Sequence, residues 1–169
     1  MTDDAAFGVV AFTDIVGFTQ FTAERGDAEA LTLLDRQDAV VRDTLPDDAR
    51  VVKALGDGLL LWFPDAVTGL GACLDLCRRF EDDATEMPLW VRIGMHWGCP
   101  TRRGDDLVGH DVNLAARIVD VAGPGEVLLS DAVRCRVDGQ LDGLRLDELG
   151  PVVMKGIPAP TPLFRAALD

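Results

Sequence analysis

The sequence has few positive charges, no long apolar run and no paired cysteine motif. Its 169 residues carry 16 Lys and Arg against 29 Asp and Glu, which gives a formal net charge of −13. An acidic excess of this size repels phosphate backbones and anionic lipids at long range, so a nucleic-acid or membrane-surface role is disfavoured. Any polyanionic ligand must therefore be met by a local cluster of cations.

No segment approaches the ~18 consecutive apolar residues that a membrane span needs, and the chain starts with acid where a secretory signal carries base. We therefore expect a cytoplasmic protein. The four cysteines lack the paired spacing of a zinc site, which favours ordinary thiols in a reducing compartment over metal or redox chemistry.

The length of the chain suits one folded unit. A single core of this size can bury roughly two-thirds of the surface of the unfolded chain. We see no internal repeat, low-complexity tract or linker in the sequence. One domain over residues 1–169 is therefore predicted.

Apolar runs and helical periodicity predict the order strand, helix, strand, strand, helix, strand in the first part of the chain. The predicted strands are 7–13, 50–55, 59–63 and 89–96, and the predicted helices are 27–41 and a segment from residue 65 to the polar loop 81–88. This βαββαβ order is that of ferredoxin-like folds, an α+β class in which helices cover one face of an antiparallel sheet.

The last third of the chain extends this core. Its glycine- and acid-rich loop over residues 98–109 leads to a helix over 111–121. A strand over 126–130, a short helix from Asp131 and strands over 144–154 and 162–167 follow.

Two aspartates stand where the predicted topology brings chain segments together. The first strand ends at Asp14, and Asp57 lies in the turn of the hairpin that leads into the third strand. Because the first and third strands are antiparallel neighbours in this topology, Asp14 and Asp57 should lie together. Paired carboxylates suit Mg²⁺ or Mn²⁺. The same residues also fit turns in which aspartate is chosen for local hydrogen bonding.

Several motifs occur in order at spacings that suit one domain. They are DIVGFT (14–19), KALGDG (53–58), RIGMHWG (92–98), DLVGHDVNLAARI (106–118) and the tail 153–165. Together they resemble the class III nucleotidyl cyclases, the adenylate and guanylate cyclase catalytic domain, in its bacterial adenylate cyclase type. The resemblance covers residues 7–167.

The resemblance implies a role for each matching position. Asp14 and Asp57 would hold two divalent cations, Mg²⁺ or Mn²⁺, with the Ile15 carbonyl as a further ligand. Asn113 would orient the ribose, and Arg117 would stabilise the transition state. The residues implied to hold the phosphates are Gly17, Phe18, Thr19, Arg92 and Lys155.

Lys53 and Asp106 match the pair that reads the purine edge in this family. Adenine offers ring-nitrogen acceptors and an amino donor, so a donor and an acceptor are needed to read it, and a lysine with an aspartate supplies both. The pair therefore indicates ATP. Asp105 competes for the acid position, although Asp106 has the better spacing to Gly109 and Asn113.

The implied function is an adenylate cyclase that attacks the α-phosphate of ATP with the ribose 3′-oxygen, in a homodimer whose two active sites are shared between chains. The two histidines, His96 and His110, are interpreted as structural because this metal-assisted step needs no histidine. The short segment before the first strand predicts regulation by a partner, a small ligand or expression, unless the chain is a fragment. A cyclase of GTP or of a pyrimidine nucleotide, and a non-catalytic nucleotide-binding or regulatory module, remain open alternatives.

Overall fold

The computed structural model describes residues 6–83 and 88–169. The strands are β1 (Gly8–Ile15), β2 (Arg50–Leu55), β3 (Gly58–Phe63), β4 (Val91–Gly98), β5 (Thr101–Arg103), β6 (Asp106–Val108), β7 (Val127–Ser130), β8 (Leu144–Val152) and β9 (Thr161–Leu168). The helices are α1 (Phe18–Arg25), α2 (Asp27–Thr44), α3 (Ala66–Asp82), α4 (His110–Val121) and α5 (Asp131–Val137).

Seven strands form one sheet in the order β2-β3-β1-β4-β7-β9-β8, and β5 pairs with β6 in a separate hairpin. Only the pairing of β4 with β7 is parallel among the described strands. Strands β1 and β3 are antiparallel neighbours, as predicted, with Thr13 opposite Leu59. The order confirms an α+β fold with a ferredoxin-like core, extended by additional helices and strands.

Helices cover both faces of this sheet. Neighbouring residues of a strand point to opposite faces, and β1 shows the result. Val9 and Ala11 pack with side chains of α2, α3 and α5, whereas Val10 and Phe12 pack with side chains of α4. The predicted coverage of one face therefore holds for α2 and α3 but is wrong for the whole sheet. Burial on both sides explains the continuous apolar run of β1.

Helix α1 is the main element that the sequence did not predict. A turn is expected at residues 17–19, yet the helix begins at Phe18, directly after Gly17 in a left-handed conformation with φ of 78°. None of the side chains of α1 is buried. Only Phe18 and Phe21 pack partly against the core, so the eight residues carry too short an apolar pattern for the helix to be recognised from the sequence.

Other boundaries shift by a few residues. Strand β4 begins and ends two residues later than predicted, and the hairpin of β5 and β6 lies inside the predicted loop 98–109. Helix α3 extends to Asp82, into the predicted loop 81–88. Residues 84–87 of that predicted loop lie outside the described residues.

Two of the four cysteines lie inside helix α3. All four are free, and Cys73 and Cys77 are buried in α3. Burial raises the pKa of both thiols, that of Cys77 to about 12, so both stay protonated.

Helix α4 lies directly on β4 because two residues of that strand have no side chain. A Cβ atom on Gly94 would press into the backbone of α4 at Val119, and one on Gly98 would press into the carboxylate of Asp111. Since a backbone cannot give way as a side chain can, Gly94 fixes how closely the helix approaches the sheet.

We expect Gly94→Ala to lower the free energy of unfolding by about 1–3 kcal/mol, because α4 must move away from the sheet. Gly71→Ala is the matched control, since a Cβ there meets no atom within 4 Å and the residue lies inside α3. That change should stabilise the protein by about 0.5–1 kcal/mol. Chemical denaturation of both variants tests the pair, and equal stabilities would contradict the close approach of α4.

Candidate active site

Asp14 and Asp57 lie together, as the topology predicts. Asp14 is the penultimate residue of β1, and Asp57 lies in the turn between β2 and β3. The backbone N–H of Ile15 donates to Oδ2 of Asp57 at 3.1 Å, which ties the turn to the end of β1. From the other side, Nε2 of the buried Gln37 donates to the Asp57 carbonyl at 3.3 Å.

The carboxylates of Asp14 and Asp57 lie close enough for one to change the pKa of the other. Burial, followed by the hydrogen bond with Asp14 and the negative charge of Asp14, raises the pKa of Asp57 from its ordinary 3.8 to about 6. Two hard carboxylates whose charges repel are a donor set that suits a divalent cation, which would relieve the repulsion. Within the described residues no group of three His, Cys, Asp or Glu side chains could hold a metal ion. Backbone, water and phosphate oxygens would therefore complete the coordination.

Arg92 lies beside this pair. It stands opposite Asp14 across the β1–β4 ladder, and its Nη2 and Nε atoms donate to Oδ2 of Asp14 at 2.6 and 3.0 Å. Its Nη1 atom donates to the carbonyls of Asp120 and Ala122, at the end of α4, at 3.2 and 3.3 Å. The arginine expected to meet phosphate is thus held between an aspartate and a helix end.

The turn after Asp14 ends at the start of α1. The Val16 N–H donates to the Trp90 carbonyl at 2.9 Å, and Gly17 then turns the chain into the helix. Phe18 and Thr19, expected in a phosphate-holding turn, are the first two residues of that helix. The first amides of a helix have no partner inside it, and they carry the positive end of its dipole.

Lys53 and Asp106 contact each other directly. Nζ of Lys53, on β2, lies 2.9 Å from Oδ2 of Asp106, on β6, and each side chain is about one-third exposed. The hydrogen bond from Lys53 lowers the pKa of Asp106. Asp105, the competing acid, instead offers its carbonyl to Arg50 at 3.4 Å.

Asn113 and Arg117 lie one turn apart on α4. Asn113 is exposed, and Arg117 is half-buried and pairs with Asp120 at 3.3 Å. Lys155 is exposed in the connection between β8 and β9. Its neighbour Met154 packs against the side of α4 that carries Leu114 and Ile118, so this connection lies next to the helix.

The candidate residues thus fall into groups joined by contacts. One group contains Asp14, Asp57 and Arg92, and another contains Lys53 with Asp106. The sequence did not predict two supporting residues, Asp120 and Gln37. Asp120 binds Arg117 through its carboxylate and Arg92 through its carbonyl, and the spacing of three residues between Arg117 and Asp120 on a helix indicates the first of these contacts. Gln37 binds the Asp57 carbonyl, and the signal for it is a polar residue on the apolar face of α2.

Comparisons with known proteins identify the family to which this chain belongs. Residues 6–164 match the family described as the adenylate and guanylate cyclase catalytic domain. The pH-sensitive adenylate cyclase MT1302 of Mycobacterium tuberculosis is 34% identical over 158 residues, which are 92% of this chain and 39% of that protein. The adenylate cyclase of Streptomyces griseus is 36% identical over 124 residues, 73% of this chain and 31% of that protein.

A solved structure shows the same fold. The crystal structure of the adenylyl cyclase CyaB from P. aeruginosa matches with a TM-score of 0.87 at 20% identity, over 96% of this chain and 94% of that chain. This chain belongs to the adenylate and guanylate cyclase catalytic domain family, the class III nucleotidyl cyclases. It spans well under half the length of the two curated relatives named above. Within residues 6–83 and 88–169, no helix is long and apolar enough to cross a membrane.

The raised pKa of Asp57 predicts that Asp57→Asn stabilises the cation-free protein at neutral pH. The folded state holds this proton more tightly than the unfolded chain, so stability falls as the pH rises from about 4 through about 6. An asparagine carries no charge to repel Asp14. Thermal denaturation with a chelator should therefore show a higher Tm for the variant at about pH 7.5 and a smaller difference at about pH 4.5.

Asp65→Asn is a control for which we expect the opposite change in Tm. Asp65 caps α3 by accepting from the Thr68 N–H at 2.8 Å, and this bond lowers the pKa of Asp65. The contribution of its charge is present at neutral pH and lost in acid, and asparagine keeps the cap without the charge, so this variant should have a slightly lower Tm at about pH 7.5. A lower Tm for Asp57→Asn as well would show that the two carboxylates do not repel.

Proposed function

We propose that this chain is an adenylate cyclase, which converts ATP to 3′,5′-cyclic AMP and pyrophosphate. The observation that carries the proposal is the pair of Asp14 and Asp57 beside Arg92, in a chain that belongs to the cyclase family. The names of the curated relatives support ATP as the substrate. We also propose that residues 1–169 act as one catalytic domain. A cytoplasmic location and regulation by a partner remain predictions.

Two divalent cations, Mg²⁺ or Mn²⁺, held by Asp14, Asp57 and the Ile15 carbonyl, would supply an activated 3′-oxygen and charge compensation for the leaving pyrophosphate. The protein supplies the remaining charge and the orientation. Gly17, Phe18 and Thr19 would offer backbone N–H groups to the phosphates at the start of α1. Arg92 and Lys155 would contact the triphosphate as cations.

The residues on α4 would act on the reacting atoms. Asn113 is exposed and would hold the ribose in position for attack. Arg117 would neutralise the charge that builds on the α-phosphate, a contribution whose removal often costs about a hundredfold or more in rate. Its bond to Asp120 is long, at 3.3 Å, and the two side chains are about half exposed, so the guanidinium can exchange this partner for phosphate at low cost.

Lys53 and Asp106 support ATP through their own chemistry. Lys53 would donate to a ring nitrogen of adenine, and Asp106 would accept from its amino group. Guanine presents the opposite pattern of donors and acceptors at the same ring positions. Its O6 accepts where the amino group of adenine donates, and its N1 donates where N1 of adenine accepts, while N2 is a further donor. The contact between Lys53 and Asp106 at 2.9 Å holds the two groups close together, and their exposure leaves both open to a base.

A homodimer with shared sites agrees with where these residues lie in one chain. Arg92 holds Asp14 at the C-terminal end of α4, whereas Asn113 lies nine residues before Ala122, about 13 Å along the helix. A second chain in head-to-tail arrangement would bring Asn113 to the carboxylates of the first. Exposed apolar side chains near the candidate groups, Val51 and Leu55 on β2 and Val153 beside Lys155, are surfaces for such a partner to cover.

The direct test is to incubate the purified protein separately with ATP, GTP, CTP and UTP, with Mg²⁺ or Mn²⁺, and to identify the products by chromatography. We expect cyclic AMP from ATP alone. Cyclic GMP or a cyclic pyrimidine nucleotide would contradict the role given to Lys53 and Asp106. Nucleotide binding without any product would favour the non-catalytic module.

Mixing two inactive variants tests the shared site. Asp57→Ala and Asn113→Ala damage different halves, so each homodimer should be inactive, whereas each heterodimer keeps one intact site. Random exchange makes about half of the dimers heterodimers, and the mixture should recover about a quarter of the normal rate. Each variant mixed with itself is the control. A mixture that stays inactive although the chains dimerise rules out sharing.

A further inference from the structure

Helix α4 packs on one face of β4. Side chains of a strand alternate between faces, so Arg92, Gly94, His96 and Gly98 share a face, and α4 covers it. Gly94 and Gly98 let the helix approach, and Arg92 binds the carbonyls at the end of α4. His96, which the cyclase mechanism does not use, lies near the other end of the helix.

His96 is bonded on both sides of its ring. Nε2 lies 3.0 Å from Oδ1 of Asp111, in the first turn of α4, and Nδ1 lies 2.7 Å from Oγ of Ser130, at the end of β7. The second oxygen of Asp111 accepts from the Cys99 N–H at 2.9 Å. The imidazole is only 12% exposed. The start of α4 is therefore tied to two neighbouring strands.

The hydrogen-bond partners of His96 determine which ring nitrogen carries the hydrogen. Burial lowers the pKa of His96, although the hydrogen bond and charge of Asp111 oppose this, so the ring is neutral near pH 7 and carries one N–H. The Asp111 carboxylate can only accept, so this hydrogen belongs on Nε2. Nδ1 then accepts from the Ser130 hydroxyl. Each of the two bonds has one donor and one acceptor, and the ring is held in one orientation.

We propose that His96 is a positioning residue for the cyclase reaction: through Asp111 it fixes the first turn of α4 and thereby the place of Asn113 and Arg117. The inference rests on the proposed function. Asn113 lies two residues after Asp111, in the turn that this contact holds. At the opposite end, Arg92 and Gly94 hold the helix independently, so loss of the histidine bond would let the first turn move while the last turn stays in place.

Such movement would affect the chemical step more than substrate binding. The triphosphate would be held by the carboxylates and by the amides of α1, which the histidine does not contact. Asn113 and Arg117 would orient the ribose and the α-phosphate, where a displacement of about 1 Å can cost about a hundredfold in rate. The expected signature is therefore a lower kcat with little change in KM.

The test compares His96→Leu with His96→Gln, because a glutamine can place an N–H where Nε2 of histidine lies. We expect His96→Leu to lower kcat about tenfold or more and to change KM for ATP less than about threefold, and His96→Gln to restore most of kcat. Asp111→Ala, which removes both acceptor oxygens, should behave like His96→Leu. It replaces that variant if His96→Leu does not fold.

Val133→Ala is the matched control for stability alone, since Val133 is fully buried on the other face of the sheet. At a comparable loss of Tm, this variant should keep kcat. The proposal is overturned if Val133→Ala loses as much kcat as His96→Leu, or if His96→Gln is as slow as His96→Leu.

Amide hydrogen exchange separates this proposal from the proposed function. The Asn113 N–H donates to the Gly109 carbonyl at 3.0 Å, in the turn that the contact fixes. In His96→Leu the Asn113 amide should exchange at least about tenfold faster, with normal rates in His96→Gln and for the amides of the last turn. A protein that makes no cyclic nucleotide but shows this pattern refutes the cyclase proposal and supports the positioning contact. Unchanged exchange in His96→Leu refutes the contact.

Discussion

The contact between Arg92 and Asp14 joins, within one chain, two groups of residues that the proposed dimer would place in two different active sites. The guanidinium binds Asp14 with two nitrogens and the last carbonyls of α4 with the third. Charge-assisted hydrogen bonds of this kind each contribute about 1.5–3 kcal/mol when partly buried. Asp14 is fixed by its strand and the helix by the face of β4, so this arginine fixes where each chain presents its own proposed cation ligands relative to the helix that would carry Asn113 and Arg117 to the partner's site.

Around the candidate site, acidic side chains pair with most of the cations. Three of the four cations proposed to meet the nucleotide are bonded to an acid: Lys53 to Asp106, Arg92 to Asp14 and Arg117 to Asp120. Each cation is thereby held in place by an anion that a phosphate or a base could replace. A net charge of −13 opposes long polyanions, but it does not prevent such local exchanges. It also makes divalent cations the natural counterions for the paired carboxylates.

Elements that pack into the core were the easiest to predict from the sequence. Strands β1 and β3 and helix α3 each carry a continuous or periodic apolar pattern because the core needs it. Helix α1 has no fully buried side chain and packs only Phe18 and Phe21 partly against the core, and the β5–β6 hairpin has only three residues in each strand, so neither leaves such a pattern. The closeness of Asp14 and Asp57 followed from strand topology. The contact of Arg92 with the end of α4 could not be predicted, because it depends on α4 covering the second face. The pairing of Lys53 with Asp106 came from the family resemblance alone.

The repulsion between Asp14 and Asp57 persists because the fold does not let the two carboxylates move apart. Five residue pairs fix the register of β1 against β3, from Val9 opposite Phe63 to Thr13 opposite Leu59, and most of these side chains are fully buried. A slip of one residue would exchange the side chains that pack against the helices on the two faces of β1, and misfitting both cores in this way would cost far more than the repulsion. Asp14 and Asp57 therefore stay together although burial and mutual repulsion oppose the ionisation of Asp57. Backbone pairing set by the core holds an unfavourable charge arrangement in place, which is the condition under which a cation binds strongly.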